Sequence, residues 1–215
     1  MKDYTYKQQE LEYIRHIKSV SPTKIWWNFT TYIFDYDDFY YQLECVSEIA
    51  DSQNQSDEAM IGEFTKNLEP YKPGQHAKLV CENKTIQELY IVRVFLYFTN
   101  FETYSKTKIL FNKAKAKAKA KELLTGKPDI FGDLVADSIG SCQEMTCHPK
   151  SKQVNKIDPK YFNLIDTGLL LQIDGKCLKA FVESNGFGFH IWDDKYFFNI
   201  EELKETAQQY EFIKV

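Results

Sequence analysis

The sequence GLLLQIDGKCLKAFVESNGFGFHIW, residues 168–192, decides the fold that we expect for this chain. Apolar and polar residues alternate along it, and the alternation is interrupted at Asp174-Gly175 and again at Asn185-Gly186. Both dipeptides tolerate the positive φ angles that a two-residue hairpin turn requires. The stretch therefore predicts an antiparallel meander of three strands.

The same alternation predicts which side chains share a face, because successive residues in a strand point to opposite sides. One face should be apolar and comprise Leu169, Leu171, Ile173, Leu178, Ala180, Val182, Phe187, Phe189 and Ile191. The other should be mixed and half covered, and it comprises Leu170, Gln172, Cys177, Lys179, Phe181, Glu183, His190 and Trp192. Beyond it, Asn199 and Glu202 have the spacing of a capping box, so a short helix ending near Tyr210 should pack across the apolar face.

Upstream of the meander, the sequence predicts further helices and hairpins. Apolar residues at helical spacing indicate a helix over residues 3–18, with Thr5 and Gln8 as its capping box, and another over 56–68. Strand-like runs cover residues 25–34, 39–49, 78–81 and 88–98. The first two runs should form a hairpin through residues 35–38, and the last two should form a second strand pair. The run at 90–98 could also be a buried helix because its period is ambiguous, and strand is the interpretation that we adopt.

A run of alternating lysine and alanine, residues 113–121, lies within a helix predicted over 106–125. Gly126 and Pro128 should end this helix, and a shorter one is predicted over 128–139. Residues two apart on a helix lie about 200° apart, so the lysines surround the axis and form no single cationic face. A solvated connecting helix is the favoured interpretation, and a site for phosphates or an acidic partner is the alternative.

Together these elements predict an α+β fold. Antiparallel hairpins and the C-terminal meander should carry helices packed on one face, and the lysine-rich helix should join the two halves. The expected ranges are 1–140 for an N-terminal α+β region, 141–160 for a loop, and 161–215 for the meander with its helix. At 215 residues the chain could also form one compact domain.

Composition restricts the class of partner. A net charge of −4 argues against nucleic-acid binding over the whole surface, because proteins that bind in that way are usually basic. The charge is uneven, since residues 35–69 hold many carboxylates and Lys66 as their only cation. The aromatic share of 15% supports a high strand content.

The chain should be cytoplasmic. Its first residues lack the apolar core of a secretory signal, and the most apolar stretch, residues 89–101, is interrupted by Arg93 and is too short to span a bilayer. The five cysteines should then be reduced. Arginine occurs only at Arg15 and Arg93 against a large excess of lysine, a bias that suggests an AT-rich genome such as that of a low-GC bacterium or its phage.

One alternative function is that of a metal-dependent hydrolase or nuclease. Glu82 could hold a metal while Lys84 steadies the attacking water, and Asp37 or Glu44 could provide the upstream carboxylate. The triplet Glu82-Asn83-Lys84 is of a kind that is common by chance, so two hairpin-loop residues are the simpler interpretation. No nucleophile-elbow, P-loop or dinucleotide-binding pattern is present.

A zinc site is the second route to that alternative. Cys142, Cys147 and His148 are the only soft ligands close together, and a fourth could come from Cys81, Cys177 or His190. Their spacing matches no standard zinc signature, so free thiols are the default interpretation. We therefore expect neither a metal nor another cofactor.

The favoured function is that of a non-enzymatic interaction protein, of the bacterial or phage inhibitor or immunity type. The segment from Trp26 to Glu48 combines aromatic residues, which supply contact area at low entropic cost, with carboxylates that complement a basic protein partner. One strand face should be buried through Ile25, Trp27, Ile33 and Leu43. The contact residues should be Trp26, Tyr32, Asp37, Asp38, Tyr40, Gln42 and Glu44. The sequence leaves the oligomeric state open.

Overall fold

The computed structural model describes residues 2–52, 55–98, 144–152, 154, 162–182, 196–199, 203 and 208–215. The chain forms two compact units, one made of Met1–Leu96 with Thr146–Val215 and the other of Tyr97–Met145. The first unit thus draws on both of the regions that the sequence analysis separated at residues 141–160. The predicted helices over 106–125 and 128–139 lie outside the described residues.

Within the described residues, the chain contains twelve strands and one helix of defined length. In chain order they are β1 (Lys2–Tyr4), α1 (Gln8–Ser19), β2 (Lys24–Asn28), β3 (Thr31–Asp35), β4 (Tyr40–Ser52), β5 (Gln55–Asn67), β6 (Lys78–Glu82), β7 (Ile86–Phe98), β8 (Glu144–Cys147), β9 (Asn163–Ile173), β10 (Lys176–Phe181), β11 (Phe197–Phe198) and β12 (Glu211–Lys214). No helix of the described part is long and apolar enough to cross a membrane.

The predicted α+β class is wrong, because the described chain consists mostly of antiparallel strands in two sheets. The clearest cause is β5, which the sequence analysis assigned to a helix over 56–68. This segment pairs with β4 along its whole length, from Tyr40 opposite Asn67 to Ser52 opposite Gln55. Pairing with a neighbouring strand outweighs a local helical spacing of apolar residues.

The five-stranded sheet has the order β5-β4-β3-β2-β6. The predicted single strand over 25–34 is in fact the hairpin β2–β3, in which Asn28 pairs with Thr31 and Phe29 has a positive φ of 26°. The predicted hairpin through residues 35–38 is confirmed as β3–β4. The predicted strands at 78–81 and 88–98 are confirmed as β6 and β7, but their predicted pairing is wrong, because β6 pairs with β2 and β7 pairs with β9 in the other sheet.

The seven-stranded sheet has the order β11-β10-β9-β7-β12, with β1 parallel to β9 and β8 beside β7. Strands β9 and β10 form the predicted hairpin, and its turn residues Asp174 and Gly175 have φ angles of 51° and 73°. This confirms the turn chemistry read from the sequence. The third strand of the meander and the turn at Asn185-Gly186 lie outside the described residues.

The two faces of the β9–β10 hairpin are partly as predicted. The apolar face is confirmed, because its described members Leu169, Leu171, Ile173, Leu178, Ala180 and Val182 all belong to the core. The mixed face is more deeply covered than expected: Leu170, Cys177, Lys179 and Phe181 are buried, and Tyr210 packs edge-on against Phe181. Tyr210 therefore lies on the mixed face, whereas the sequence analysis placed the helix that ends near it on the apolar face. Of the predicted helix, Leu203 is described, and it is helical and buried.

Helix α1 begins later than predicted because the preceding residues belong to β1. Lys7 precedes its first turn and its backbone N–H donates to Glu10 Oε2 over 2.8 Å, which replaces the predicted Thr5 and Gln8 capping box. The other oxygen of Glu10 accepts from the Phe64 N–H over 3.0 Å, so one carboxylate joins the helix start to the edge strand β5. Ile14 and Ile17 are fully buried and join apolar side chains of both sheets in one core.

A buried ion pair fixes the N-terminal segment to the seven-stranded sheet. The Asp166 side chain is 0% exposed, and its oxygens accept from Arg93 Nε over 2.6 Å and from Arg93 Nη2 over 3.0 Å. The backbone N–H of Tyr6 donates to the same carboxylate over 2.8 Å. The hydrogen bond to Asp166 raises the pKa of Arg93. The two hydrogen bonds from Arg93 compensate the negative charge of Asp166, which would otherwise be buried without a partner in surroundings of low dielectric constant.

Candidate protein-binding surface

The five-stranded sheet has an inner face in the core and an outer face opposite to it. Directly paired residues of antiparallel strands share a face, so the strand register assigns each position to one of the two faces. The inner rows are Ile25–Phe34–Tyr41–Lys66 and Trp27–Tyr32–Leu43–Phe64. The outer face contains Lys24–Asp35–Tyr40–Asn67, Trp26–Ile33–Gln42–Thr65 and Asn28–Thr31–Glu44–Glu63.

Six of the seven predicted contact residues lie on this outer face or in the turn beside it. Trp26, Tyr40, Gln42 and Glu44 are on the face, and Asp37 and Asp38 are exposed in the β3–β4 turn. The prediction for Tyr32 is wrong, because its side chain is 0% exposed and lies on the inner face, whereas Ile33 lies on the outer one. Because the β2–β3 turn has two residues, Asn28 pairs with Thr31, and each further pair joins an even position of one strand to an odd position of the other. Even positions of β2 therefore share a face with odd positions of β3.

Residues 68–77, which we call the strap, cross the outer face. They connect β5 to β6, which lie at opposite edges of the sheet and are separated by four strand spacings, about 19 Å. The Tyr71 ring contacts Trp26 and Tyr40 at centroid distances of 5.9 and 5.2 Å. Both partners are outer-face residues, so the strap runs over that face. Burial raises the pKa of Tyr71, and the nearby Tyr40 and Asp35 raise it further.

Asp35 is an almost buried carboxylate beneath these rings, with 6% of the residue exposed. Its Oδ2 accepts from Trp26 Nε1 over 3.3 Å, and its Oδ1 accepts from the Asp37 N–H over 3.0 Å. In the part of the chain that the structure describes, no cation forms an ion pair with it. Its cross-strand neighbour Lys24 turns instead towards Asp37 at 3.7 Å and Glu82 at 3.9 Å.

The outer face also carries two carboxylates directly opposite each other, Glu44 on β4 and Glu63 on β5. Like charges in such a pair destabilise a sheet. Gln42 Nε2 donates to Glu44 over 2.9 Å, but neither carboxylate forms an ion pair among the described residues. Lys66, the only cation of residues 35–69, lies on the inner face with its ammonium 4.6 Å from the centroid of Phe39. It therefore lies on the opposite side of the sheet from Glu44 and Glu63.

Two exposed leucines lie at the ends of the strap. Leu68 is 78% exposed where β5 ends, and Leu79 is 44% exposed on β6, directly opposite Trp26. The sequence analysis predicted neither as exposed. It assigned Leu68 to the buried face of a helix over 56–68, whereas this segment is a strand. The segment from Pro70 to Pro73-Gly74 was the available signal, since it marks a long connection between strands rather than a helix end.

The residues proposed for a hydrolase do not converge on one point. Lys84 Nζ lies 2.8 Å from Asp174 Oδ2, and this partner raises its pKa. Glu82 and Asp37 both face Lys24. Lys84, Glu82 and Asp37 thus each pair with an opposite charge of the protein in a solvated surface pair, whereas Glu44 lies on β4 opposite Glu63.

Those residues proposed for zinc that the structure describes do not form a metal-binding group with one another. Cys147 is buried in β8, where burial raises the pKa of its thiol, and His148 Nδ1 accepts from the Lys150 N–H over 3.0 Å. Burial also raises the pKa of Cys81 to about 11. Within the described residues, no group of three His, Cys, Asp or Glu side chains could hold a metal ion. Cys142 and His190 lie outside them.

Comparisons with protein-family models, with curated proteins and with solved structures find no match to this chain.

Proposed function

We propose that this chain is a non-enzymatic protein-binding module, of the inhibitor or immunity type, whose outer face takes a basic protein surface. The observation that carries the proposal is the uncompensated pair Glu44 and Glu63, which face each other across β4 and β5. Two carboxylates held together at a cost to the sheet form a site for a positive charge. Complementary charge of this kind accelerates and orients association.

The rest of the outer face supplies the apolar part of an interface. Aromatic anchors surrounded by a polar rim are typical of protein-binding surfaces. Trp26, Tyr40 and Tyr71 form a row of half-buried rings, and Leu79, which lies opposite Trp26 on β6, extends it with exposed apolar area. The turn residues Asp37 and Asp38 add negative charge at its margin.

The compartment that we propose for this encounter is the cytoplasm. Cys81, Cys147 and Cys177 are free thiols. Free thiols persist under the reducing conditions of that compartment.

The test uses the immobilised full chain to capture binding proteins from a host extract, followed by titration of each purified partner. The variant Glu44→Gln/Glu63→Gln should weaken binding at least about tenfold, because it removes both facing charges without changing side-chain shape. The matched control is Glu12→Gln/Asp174→Asn, which removes two exposed carboxylates from α1 and from the β9–β10 turn. This control should leave binding within about threefold of the wild type.

Two outcomes would contradict the proposal. In one, the control variant weakens binding as much as the outer-face variant, so that only net charge matters. In the other, the outer-face variant binds normally and binding is abolished by glutamine at Lys113, Lys115, Lys117, Lys119 and Lys121, which would assign the contact to the lysine run.

A further inference from the structure

Tyr71 occupies a slot that is built from two rings and one carboxylate. Its ring lies 5.9 Å from that of Trp26 and 5.2 Å from that of Tyr40, within the range of aromatic pairs. The carboxylate of Asp35 lies close enough to raise the pKa of the Tyr71 hydroxyl. Tyr71 comes from the strap, whose neighbouring residues Pro70, Lys72 and Pro73 are exposed. The slot is therefore closed by the side chain of Tyr71, which is held there by the strap.

The chemistry beneath Tyr71 fits a cation better than a phenol. Asp35 is almost buried and accepts hydrogen bonds from an indole and a backbone amide, while no cation of the described residues pairs with it. A buried carboxylate retains unused lone pairs in this situation, and a planar guanidinium satisfies two of them at once. The flanking rings of Trp26 and Tyr40 can each stack on that plane.

We propose that the slot between Trp26 and Tyr40 is a subsite for an arginine side chain of the basic partner, and that Tyr71 covers it in the free chain. The inference rests on the proposed function and specifies the group that the outer face recognises. Tyr71 acts as an intramolecular competitor, so the apparent affinity is reduced by the fraction of time that the slot is covered. Lysine fits less well, because its ammonium is a point charge that neither stacks nor binds a carboxylate in two places.

The test compares two synthetic nine-residue peptides of equal charge, one with three arginines and one with three lysines separated by glycine and serine. Binding to the full chain is measured by calorimetry, and the indole N–H signal of Trp26 is followed by NMR. The arginine peptide should bind about tenfold more tightly than the lysine peptide and should shift that signal.

Three variants separate the slot from general acidity. Tyr71→Ala should tighten binding of the arginine peptide about threefold or more, because the competitor is gone. Asp35→Asn should weaken it about tenfold, because the bidentate partner is lost. The control Asp174→Asn removes the same charge from the exposed β9–β10 turn, away from the outer face, and it should change binding by less than about twofold.

Equal affinity for the two peptides, no binding of either at millimolar concentration, or no tightening in Tyr71→Ala would each overturn the arginine subsite. If Asp35→Asn does not fold, the peptide comparison and Tyr71→Ala still decide. The proposed function can survive this failure: a captured partner that still requires Glu44 and Glu63, but treats wild type and Tyr71→Ala alike, would show that the outer face binds without the slot.

Discussion

Gly168→Ala should destabilise the chain more than any other substitution that adds a single methyl group to the β9–β10 hairpin. Gly168 has a φ of 141°, a conformation that side chains rarely adopt. A Cβ built there would lie 2.2 Å from the carbonyl oxygen of Ala180 and 2.6 Å from the Cα of Phe181. Both neighbours are backbone atoms of β10, so the strand pair itself would have to separate.

The size of the effect follows from two contributions. Holding a non-glycine residue in a sparsely populated backbone region costs about 1–3 kcal/mol. Forcing extra volume into packed surroundings costs about 1–3 kcal/mol more. The sum, about 2–6 kcal/mol, is a large fraction of the 5–15 kcal/mol by which domains are typically stable.

The assay is urea unfolding followed by far-UV circular dichroism, with the midpoint as the readout and an unchanged slope as the check on two-state behaviour. The matched control is Gly175→Ala in the turn of the same hairpin. Gly175 also has a positive φ, 73°, but a Cβ there meets nothing within 4 Å. Its cost should be about 1–2 kcal/mol, the backbone contribution alone. A Gly168→Ala variant no less stable than Gly175→Ala would refute the steric argument.

Three further outcomes are expected. Arg93→Met should reduce the free energy of unfolding by about 3–5 kcal/mol, because Asp166 is left as an uncompensated buried charge, and Arg93→Met/Asp166→Asn should recover part of the loss in the same urea assay. Cys81 has a pKa raised from 9.0 to about 11, so its thiol stabilises the fold below pH 9 and this contribution is lost as the pH rises through 11. At pH 8 its alkylation, measured by mass spectrometry, should be about a hundredfold slower in the folded chain than in urea, matching the lower thiolate fraction. Glu63→Lys should raise the free energy of unfolding by about 0.2–1 kcal/mol by pairing with Glu44, while it weakens partner binding.

The β9–β10 hairpin could be predicted from the sequence because its signals are local. Asp174-Gly175 supplies the turn, and the alternation from Leu169 to Val182 assigns the core face without any knowledge of the neighbouring strands. The burial of the mixed face could not be predicted from local sequence signals. It depends on Tyr210, a residue distant in sequence whose position is set by tertiary packing.

The errors in the N-terminal half have a common physical origin. Phe29 occupies a turn in a positive φ conformation without being glycine or asparagine, so residues 25–34 showed no interruption. Missing that turn inverted the faces of β3 and placed Tyr32 outside. In β5, Phe64 and its apolar neighbours satisfy helical spacing equally well, and the deciding interaction is the ladder with β4.

The candidate surface was partly predictable from the alternation of side chains along single strands. Trp26, Tyr40 and Glu44 fell on the outer face because side chains alternate within β2 and within β4, and the missed turn inverted only β3. The strap was not predictable, because the route of a connection depends on which edges it joins. Connections are commonly about four to six residues long. The strap of residues 68–77 is longer because it crosses the sheet from one edge strand to the other.

Several features of the outer face oppose the stability of the free chain. Glu44 faces Glu63, Asp35 is almost buried and forms no ion pair with a cation of the described residues, and Leu79 is 44% exposed. Each could be removed by a single conservative change without disturbing the core, because none of these side chains belongs to it. Local conflicts of this sort are expected where function requires them, since elsewhere sequence, packing and charge agree. Their concentration on one face, under a strap that holds Tyr71 over the carboxylate, is the physical argument for binding there.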